Sequence, residues 1–387
     1  MRRMLSTARR ISDRLALPVL AGGLVLVAAQ DARARAADRR LAEQVRSRDG
    51  QLVSRRSSAP EVTVLVAAWN EAALIESHVR SAIGLRYPRL QYVLCAGGTD
   101  GTFERASQFA RPGVVVIEQR AGEGKQAALR RALCRATGEV IFLTDADCLL
   151  DDESFERTLA PILDGEAEAS TGGSQPLPGQ QERSLLAFYH WAGDRYVAYR
   201  AGETDAGLLG RNCALTRSAL ERTGNFQADV PTGTDYHLAK SLVEVGITIR
   251  HVGSSAVPSR YAESIRPYAR QQRRWLRNVV ILGRRFGARD EVRQAALTSA
   301  IGLGTLLAPL AALVLGRSVL AAWLVVILRG AASKVRYVDF AVRADGRPDL
   351  APSPARRLAA VPLTLVELAV WSLPVLDYLL PARRSSW

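Results

Sequence analysis

The chain is poor in the residues that build metal cages and cross-links. Its 387 residues include four cysteines and four histidines. Cys95, Cys134, Cys148 and Cys213 form no CxxC pair, and none stands at ligand spacing from a histidine. That excludes a zinc module and a disulfide framework, and leaves reduced thiols in a cytosolic domain. His78, His190, His237 and His251 show no ligand spacing and read as structural or exposed, although His237 stands close enough to Asp235 to border a site. Aromatic residues are only 6% of the chain, and no aromatic platform is interleaved with the basic residues. Acidic residues are also in deficit, 38 against 52 Lys and Arg, for a net charge of +14. Such a charge suits nucleic acid in principle. The arginines, however, cluster beside apolar segments, so the expected partner is anionic membrane lipid and no nucleic acid.

What is abundant is aliphatic sequence, unevenly spread. Leu15–Ala29 is apolar, but as a helix it reaches only about 22 Å, against a hydrocarbon core of about 30 Å. It contains Pro18, and arginines flank it on both sides, Arg9, Arg10 and Arg14 before it and Arg33, Arg35, Arg39 and Arg40 after. The positive-inside rule therefore does not orient it. A basic start, a short apolar run and small residues near Ala29 also resemble a signal peptide. The preferred reading is a basic segment with a short uncleaved anchor over 1–30, then an Arg-rich linker over 31–58. A transmembrane region is expected over 293–382. Ala295–Leu315 is long enough to span, and Val319–Leu328 is short unless it continues to Ser333. Leu358–Leu380 is weakened by Glu367 and Asp377. A basic loop with Lys334, Arg336, Arg343, Arg347, Arg356 and Arg357 would then face the cytosol. The alternative is a helical bundle buried in a large soluble protein.

Residues 59–255 read as one α/β domain. Val62–Ala67, Tyr92–Cys95, Val114–Ile117 and Val140–Thr144 are short, β-branched and apolar throughout, as strands buried on both faces should be. Helical patterns separate them, one after Asn70 as N-cap, one over Thr102–Phe109 and one over Lys125–Ala136. Such alternation predicts a mostly parallel sheet with flanking helices, and ligands beyond the carboxyl ends of its strands.

Three motifs fall where chemistry is expected. In "VIFLTDADC" a strand ends and Asp145 and Asp147 follow; alternate residues of extended chain project to one side. Two carboxylates so placed suit a hard cation, Mg²⁺ or Mn²⁺, that also meets substrate phosphates. The plain alternative is a solvated acidic turn. In "TGTDYHLAKSLVEVG" Gly233 ends a loop and Asp235 opens a helix with Leu238, Leu242 and Val245 on one stripe. A helix start favours the ionised carboxylate, which can serve as general base or as an ordinary N-terminal acid. "YARQQRRWLRN" puts Gln271, Arg274 and Trp275 on an amphipathic helix (within an interfacial segment over 256–292), able to clamp a diphosphate and stack on a sugar, or simply to lie at head-group level.

In this order and spacing the motifs resemble the membrane-attached family 2 glycosyltransferases of GT-A fold, the group of cellulose, hyaluronan and poly-N-acetylglucosamine synthases. The similarity runs over "VTVLVAAWNEAALI", "GGTDGT", "GEGKQAALRRALCRATGEVIFLTDAD", "GRNCALTRSALERTGNF", "TGTDYHLAKSL" and "QQRRW", from Val62 to Trp275. The resemblance implies an α/β GT-A domain followed by transmembrane helices. It implies that Asp145 and Asp147 bind Mg²⁺ or Mn²⁺ and that Asp235 is the base. It further implies that Glu71, Gly97, Asp100, Lys125, Asp145, Gln271 and Arg274 bind the nucleotide-sugar donor and that Trp275 lines the acceptor path. The implied reaction is a single in-line displacement with inversion, at the cytosolic side of the cell membrane, onto a growing polysaccharide or a lipid-linked carbohydrate acceptor. A single-addition glycolipid transferase is the runner-up, and an inactive nucleotide-sugar binder a third reading. "GEGK" lacks the glycine spacing and following Ser/Thr of a P-loop, which excludes one.

The departure lies in "YVLCAGGTDGT". The family usually carries an acidic pair where Cys95 and Ala96 stand, and that pair commonly contacts the base or ribose. A nucleotide sugar is still implied, with UDP favoured over GDP. The base must then be held by backbone groups, by Glu71, or less selectively.

Overall fold

The computed structural model describes residues 2–49, 59–200, 204–205, 207–228, 230 and 232–379. The chain divides into a sheet unit (Ser47–Gln180 and Asp194–Tyr261) and a helical unit (Met1–Arg46, Gln181–Gly193 and Ala262–Arg384).

The first helix, α1 (Arg2–Asp49), is one continuous element through Pro18. Within the expected linker over 31–58, residues 31–49 are helical, and 50–58 lie outside the described residues. The segment is polar, but Ala, Arg, Leu, Glu and Gln dominate it, and these are strong helix formers.

The sheet unit follows as β1 (Val62–Trp69), α2 (Ile75–Ile83), β2 (Leu90–Gly97), α3 (Thr102–Ser107), β3 (Val114–Glu118), α4 (Gly124–Leu133), β4 (Val140–Asp145), α5 (Asp152–Leu163) and β5 (Ala169–Pro176). Helices α6 (Gln180–Arg183) and α7 (Leu185–Arg200) come next, then β6 (Thr204–Asp205), β7 (Cys213–Thr216), α8 (Arg217–Arg222), α9 (Thr234–Glu244) and β8 (Ile249–Ser259). The eight strands are ordered β3-β2-β1-β4-β7-β5-β8-β6. The pairs among β3, β2, β1 and β4 are parallel, whereas β7 runs antiparallel to both neighbours.

Strand residues alternate between two apolar layers. Val64, Val66, Leu94 and Phe142 pack with Ile75, Val79, Phe155 and Leu159 from α2 and α5. Leu65, Val93, Ile141 and Leu143 pack with Ala128, Leu129, Leu220, Leu238 and Leu242 from α4, α8 and α9. Val245 does not continue that stripe; it ends α9 and is exposed. Because β1 lies between β2 and β4, the strand order reverses at its carboxyl end. A crevice is expected there, and Ala67 of β1 registers with both Cys95 and Asp145.

The helical unit continues with α10 (Ile265–Arg285), α11 (Arg289–Leu315), α12 (Arg317–Ala344), α13 (Pro354–Leu358) and α14 (Ala360–Leu379). Among the described residues four helical stretches are long and apolar enough to cross a membrane: Arg9–Val45, Arg289–Leu315, Arg317–Ala344 and Pro354–Pro374. Leu297, Ile301, Leu307, Leu310 and Leu313 of α11 are exposed, which a bundle buried in a soluble protein would not show. The helices approach through small residues. A Cβ on Gly23 would meet Val325 at 2.5 Å, and one on Gly330 would meet Thr364 at 2.6 Å. Helix α12 is not the ten-residue segment the hydropathy suggests. It runs on to Ala344, so Lys334, Arg336 and Arg343 stand on a helix and not in a loop. Lys334 is paired with Glu367, the charge that weakened the last span; the side chain of Asp377 lies outside the described residues.

Candidate active site

The carboxyl edge of the sheet gathers most of the expected residues. Asp145 ends β4, and Asp147 follows in a turn stapled to the end of β8: Arg260 N–H donates to the Asp147 carbonyl and Leu149 N–H to the Pro258 carbonyl. Lys125, at the start of α4, reaches Asp145 Oδ1 with its Nζ at 2.5 Å. Arg211 lies on the other side, its Nε 3.9 Å from Asp145 Oδ2 and its Nη1 donating to Ser259 Oγ at 3.0 Å. Burial works against the Arg211 charge, but Asp147, Cys148 and Asp145 outweigh it and raise its pKa. Burial likewise opposes the Lys125 charge, and Asp145 and Asp235 together raise its pKa. The two aspartates of the motif are thus embedded in compensating cations.

Asp235 sits in the first turn of α9, behind Gly233 at φ 76°. Its Oδ1 accepts the Tyr236 N–H at 2.9 Å. Gly210 packs against it so closely that an added Cβ would stand 3.0 Å from the Asp235 Cβ. The loop holding Gly210 and Arg211 is anchored by buried Asn212, whose amide donates to the Gly173 carbonyl and Ser255 Oγ and accepts from Thr158 Oγ1. Glu71 is paired with Arg260. Burial raises the Glu71 pKa, as do Asp147 and Asp145, and Arg260 opposes them.

Asp100 has an internal task. Its carboxylate accepts from the Thr102 hydroxyl at 2.6 Å, from Thr102 N–H at 3.1 Å and from Ala72 N–H at 3.0 Å. Those bonds outweigh the effect of burial and lower its pKa. Asn70 does not cap α2, which starts at Ile75; at φ 57° its Oδ1 accepts the Thr99 N–H at 2.8 Å. Together they tie the 70–72 turn to the 98–102 turn. Cys95 and Ala96 are buried, and burial pushes the Cys95 thiol up to about 11. Gly97 forms a floor between two groups: an added Cβ would stand 2.9 Å from the Trp69 ring and would also strike Gln119. Trp69 is 39% exposed. Gln119 is buried, and its side-chain oxygen has no hydrogen-bond partner among the described residues.

Gln271, Arg274 and Trp275 belong to the helical unit, on α10. There the Trp275 ring lies 6.1 Å from that of His190, which also meets the Tyr268 ring at 5.3 Å.

Sequence reasoning missed Arg211, Arg260, Trp69 and Gln119. Trp69, Gln119 and Arg260 stand at or just beyond the carboxyl ends of strands, and Arg211 just before the start of antiparallel β7; nearness to that edge of the sheet is the one signal that would have singled them out. His78 is buried on α2, and its Nδ1–H donates to the Cys148 carbonyl at 2.7 Å, beneath the Asp145–Asp147 turn. Burial lowers its pKa, while the Cys148 carbonyl, Asp147 and Asp145 act the other way. An unfolded histidine takes its proton near pH 6.5, whereas the folded one takes it only at lower pH. Stability should therefore be full above pH 6.5 and fall below it, by up to about 1.4 kcal/mol per pH unit. Thermal melts of the full chain in detergent and chelator, at pH 7.5 and 5.5, should show a smaller drop for His78→Asn than for the parent. Equal drops would remove His78 as the source.

Among the described residues no group of three or more His, Cys, Asp or Glu could hold a metal ion. Asp145 and Asp147 supply two carboxylates at a strand end, the number that Mg²⁺ or Mn²⁺ would need where phosphate oxygens and water complete the shell.

The family described as "Glycosyltransferase like family 2" matches residues 59–278. The probable glycosyltransferase YdaM of Bacillus subtilis (strain 168) is 24% identical over 235 residues, 56% of this chain and 55% of that protein. Glycosyltransferase AglE of Haloferax volcanii is 24% identical over 204 residues, 50% of this chain and 64% of that one. The chain thus spans less than two thirds of either curated relative. The mannosyltransferase PcManGT of Pyrobaculum calidifontis, solved in complex with GDP-Man and Mn²⁺, matches with a TM-score of 0.52 at 18% identity, covering 94% of this chain and 99% of that one. This last likeness speaks for the GT-A fold. With the matched region covering more than half of its length, the chain belongs to glycosyltransferase family 2.

Proposed function

We propose that the sheet unit transfers a sugar, with inversion, from a nucleotide-sugar donor to a hydroxyl of a membrane-held acceptor, either a growing polysaccharide or a lipid-linked carbohydrate. The observation that carries this is the cluster of Asp145, Asp147, Lys125, Arg211 and Asp235 at the reversal point of the sheet. Lys125 and Arg211 would hold the diphosphate, replacing the hydration its charges lose. Asp145 and Asp147 would hold Mg²⁺ or Mn²⁺, which when bound supplies further positive charge against the leaving diphosphate. Asp235 would accept the proton of the acceptor hydroxyl as that oxygen attacks the anomeric carbon.

The base would lie on Trp69 and meet the Gln119 amide, which stands beside the buried Ala96 where the family carries an acid. Glu71 is engaged by Arg260 and is not needed for that task. Four helices of spanning length and the outward apolar face of α11 support a membrane location, with the sheet unit on the cytosolic side where nucleotide sugars are made. The two acceptor readings differ in product: extracted lipid should carry either a ladder of lengths or one discrete glycolipid.

The decisive test is a donor screen. Membranes containing the full chain are incubated with Mg²⁺ or Mn²⁺ and a panel of UDP- and GDP-sugars. At least one donor should release nucleotide, and chelator should stop the release. Silence with every donor would sink the reading.

A further inference from the structure

We infer that a cleft between α1 and α12, within the helical unit, binds the phosphate group of an anionic phospholipid. The sequence prepares both walls. Asp31, Arg35 and Arg39 follow one another at four-residue spacing along α1, and Arg336, Asp339 and Arg343 lie at three- and four-residue spacing along α12, so each set forms a stripe on one helix face.

The two helices run side by side in the same direction. Ser12 meets Ser318 at one end, Gly23 packs on Val325 midway, and Arg35 meets Asp339 at the other. From Ser12 to Arg35 a helix rises about 34 Å, close to the hydrocarbon thickness of about 30 Å. The charged stripes therefore fall at one boundary of the span.

The cleft, open to solvent, is lined by Arg35, Arg39, Arg336 and Arg343 against Asp38 and Asp339. The acids are already engaged: Asp38 with buried Arg336, and Asp339 with Arg35 and Arg357. Arg39 and Arg343 are exposed, and neither has an ion-pair partner among the described residues. The cluster leaves two guanidinium forks over, with the planar geometry that grips phosphate oxygens in pairs. At a membrane boundary the phosphate available in quantity is that of a lipid head group.

The inference rests on the membrane reading above, so the two are tested apart. If carbonate washing strips the full chain from membranes, the membrane reading fails. A chain that stays in the membrane can be tested for lipid preference. In detergent micelles, labelled phosphatidylglycerol should bind the full chain. Equal phosphatidylcholine should not displace it, because choline cancels the phosphate charge. The variant Arg39→Gln/Arg343→Gln should weaken binding by about fivefold per arginine removed. Removing the same charge from the sheet unit with Arg111→Gln/Arg130→Gln should change nothing. Thermal melts confirm folding; if the double glutamine variant melts early, Arg39→Lys/Arg343→Lys replaces it, keeping the charge and losing the fork, with weaker binding again expected. Undiminished binding by the folded variant overturns the inference. So does equal displacement by phosphatidylcholine, or displacement by inorganic phosphate at the lipid's own concentration, which would assign the cleft to a soluble anion.

Discussion

Asp235→Asn should lower sugar transfer by about 10²–10⁴-fold, the usual worth of a positioned general base, while donor binding stays near that of the parent. The substitution keeps size, keeps an oxygen to accept the Tyr236 N–H and fits the same space beside Gly210. It removes the negative charge, and with it the capacity to take up a proton, while Lys125 keeps Asp145. Single-turnover transfer together with nucleotide binding on the same preparation separates the outcomes. Parallel loss of both would make Asp235 a positioning residue, and full activity would move the base elsewhere.

The second large effect is expected at Arg211. Its side chain is only 12% exposed and faces Asp145 and Asp147. Arg211→Met keeps much of the apolar stem and deletes the charge, leaving two neighbouring carboxylates partly uncompensated. Breaking a buried ion pair from one side costs about 3–5 kcal/mol; because Asp145 keeps Lys125 and is 27% exposed, about 2–3 kcal/mol is the expected loss here. The loss should be greatest in chelator. Mn²⁺ should restore thermal stability to the variant more than it adds to the parent, since a cation at Asp145 and Asp147 replaces the missing one. If Mn²⁺ raises both melting points equally, the guanidinium is not what balances the pair.

How much of this was legible depended on how local each feature is. The first four strands could be located to within two residues at each end, because the cores of Val62–Trp69, Leu90–Gly97 and Val140–Asp145 are buried and apolar and Val114–Glu118 is an unbroken β-branched run up to Glu118. β5 was not legible. It reads ASTGGSQP, with two glycines and four polar residues, and is a strand because β7 and β8 flank it. Gly172 in it leaves room for Asn212, whose amide an added Cβ would strike. The length of α1 was not legible, because polar arginines suggest a linker, whereas Arg35 and Asp38 find partners on α12 some three hundred positions away.

The site divides in the same way. Asp145 and Asp147 were readable because a buried strand ends there, although the chain turns at Ala146 and Asp147 instead of running on extended as expected. Asp235 was readable because a glycine and an apolar helix repeat mark a helix start. Asp100 kept its family motif yet is engaged by Thr102 and Ala72, a hydrogen-bonding fact that no spacing reveals. Arg211 and Arg260 were two among 52 basic residues until the fold set them against carboxylates. By itself the sequence determined the family, the parallel sheet and the carboxylates at its edge, since these follow from short-range periodicity and from ordered motifs. Only the tertiary structure decided which cation answers each carboxylate, why Cys95 and Ala96 are core residues, and that two arginines between α1 and α12 are left over. Charge compensation depends on distances of a few ångströms between segments remote in the chain, and nothing local in the sequence encodes those distances.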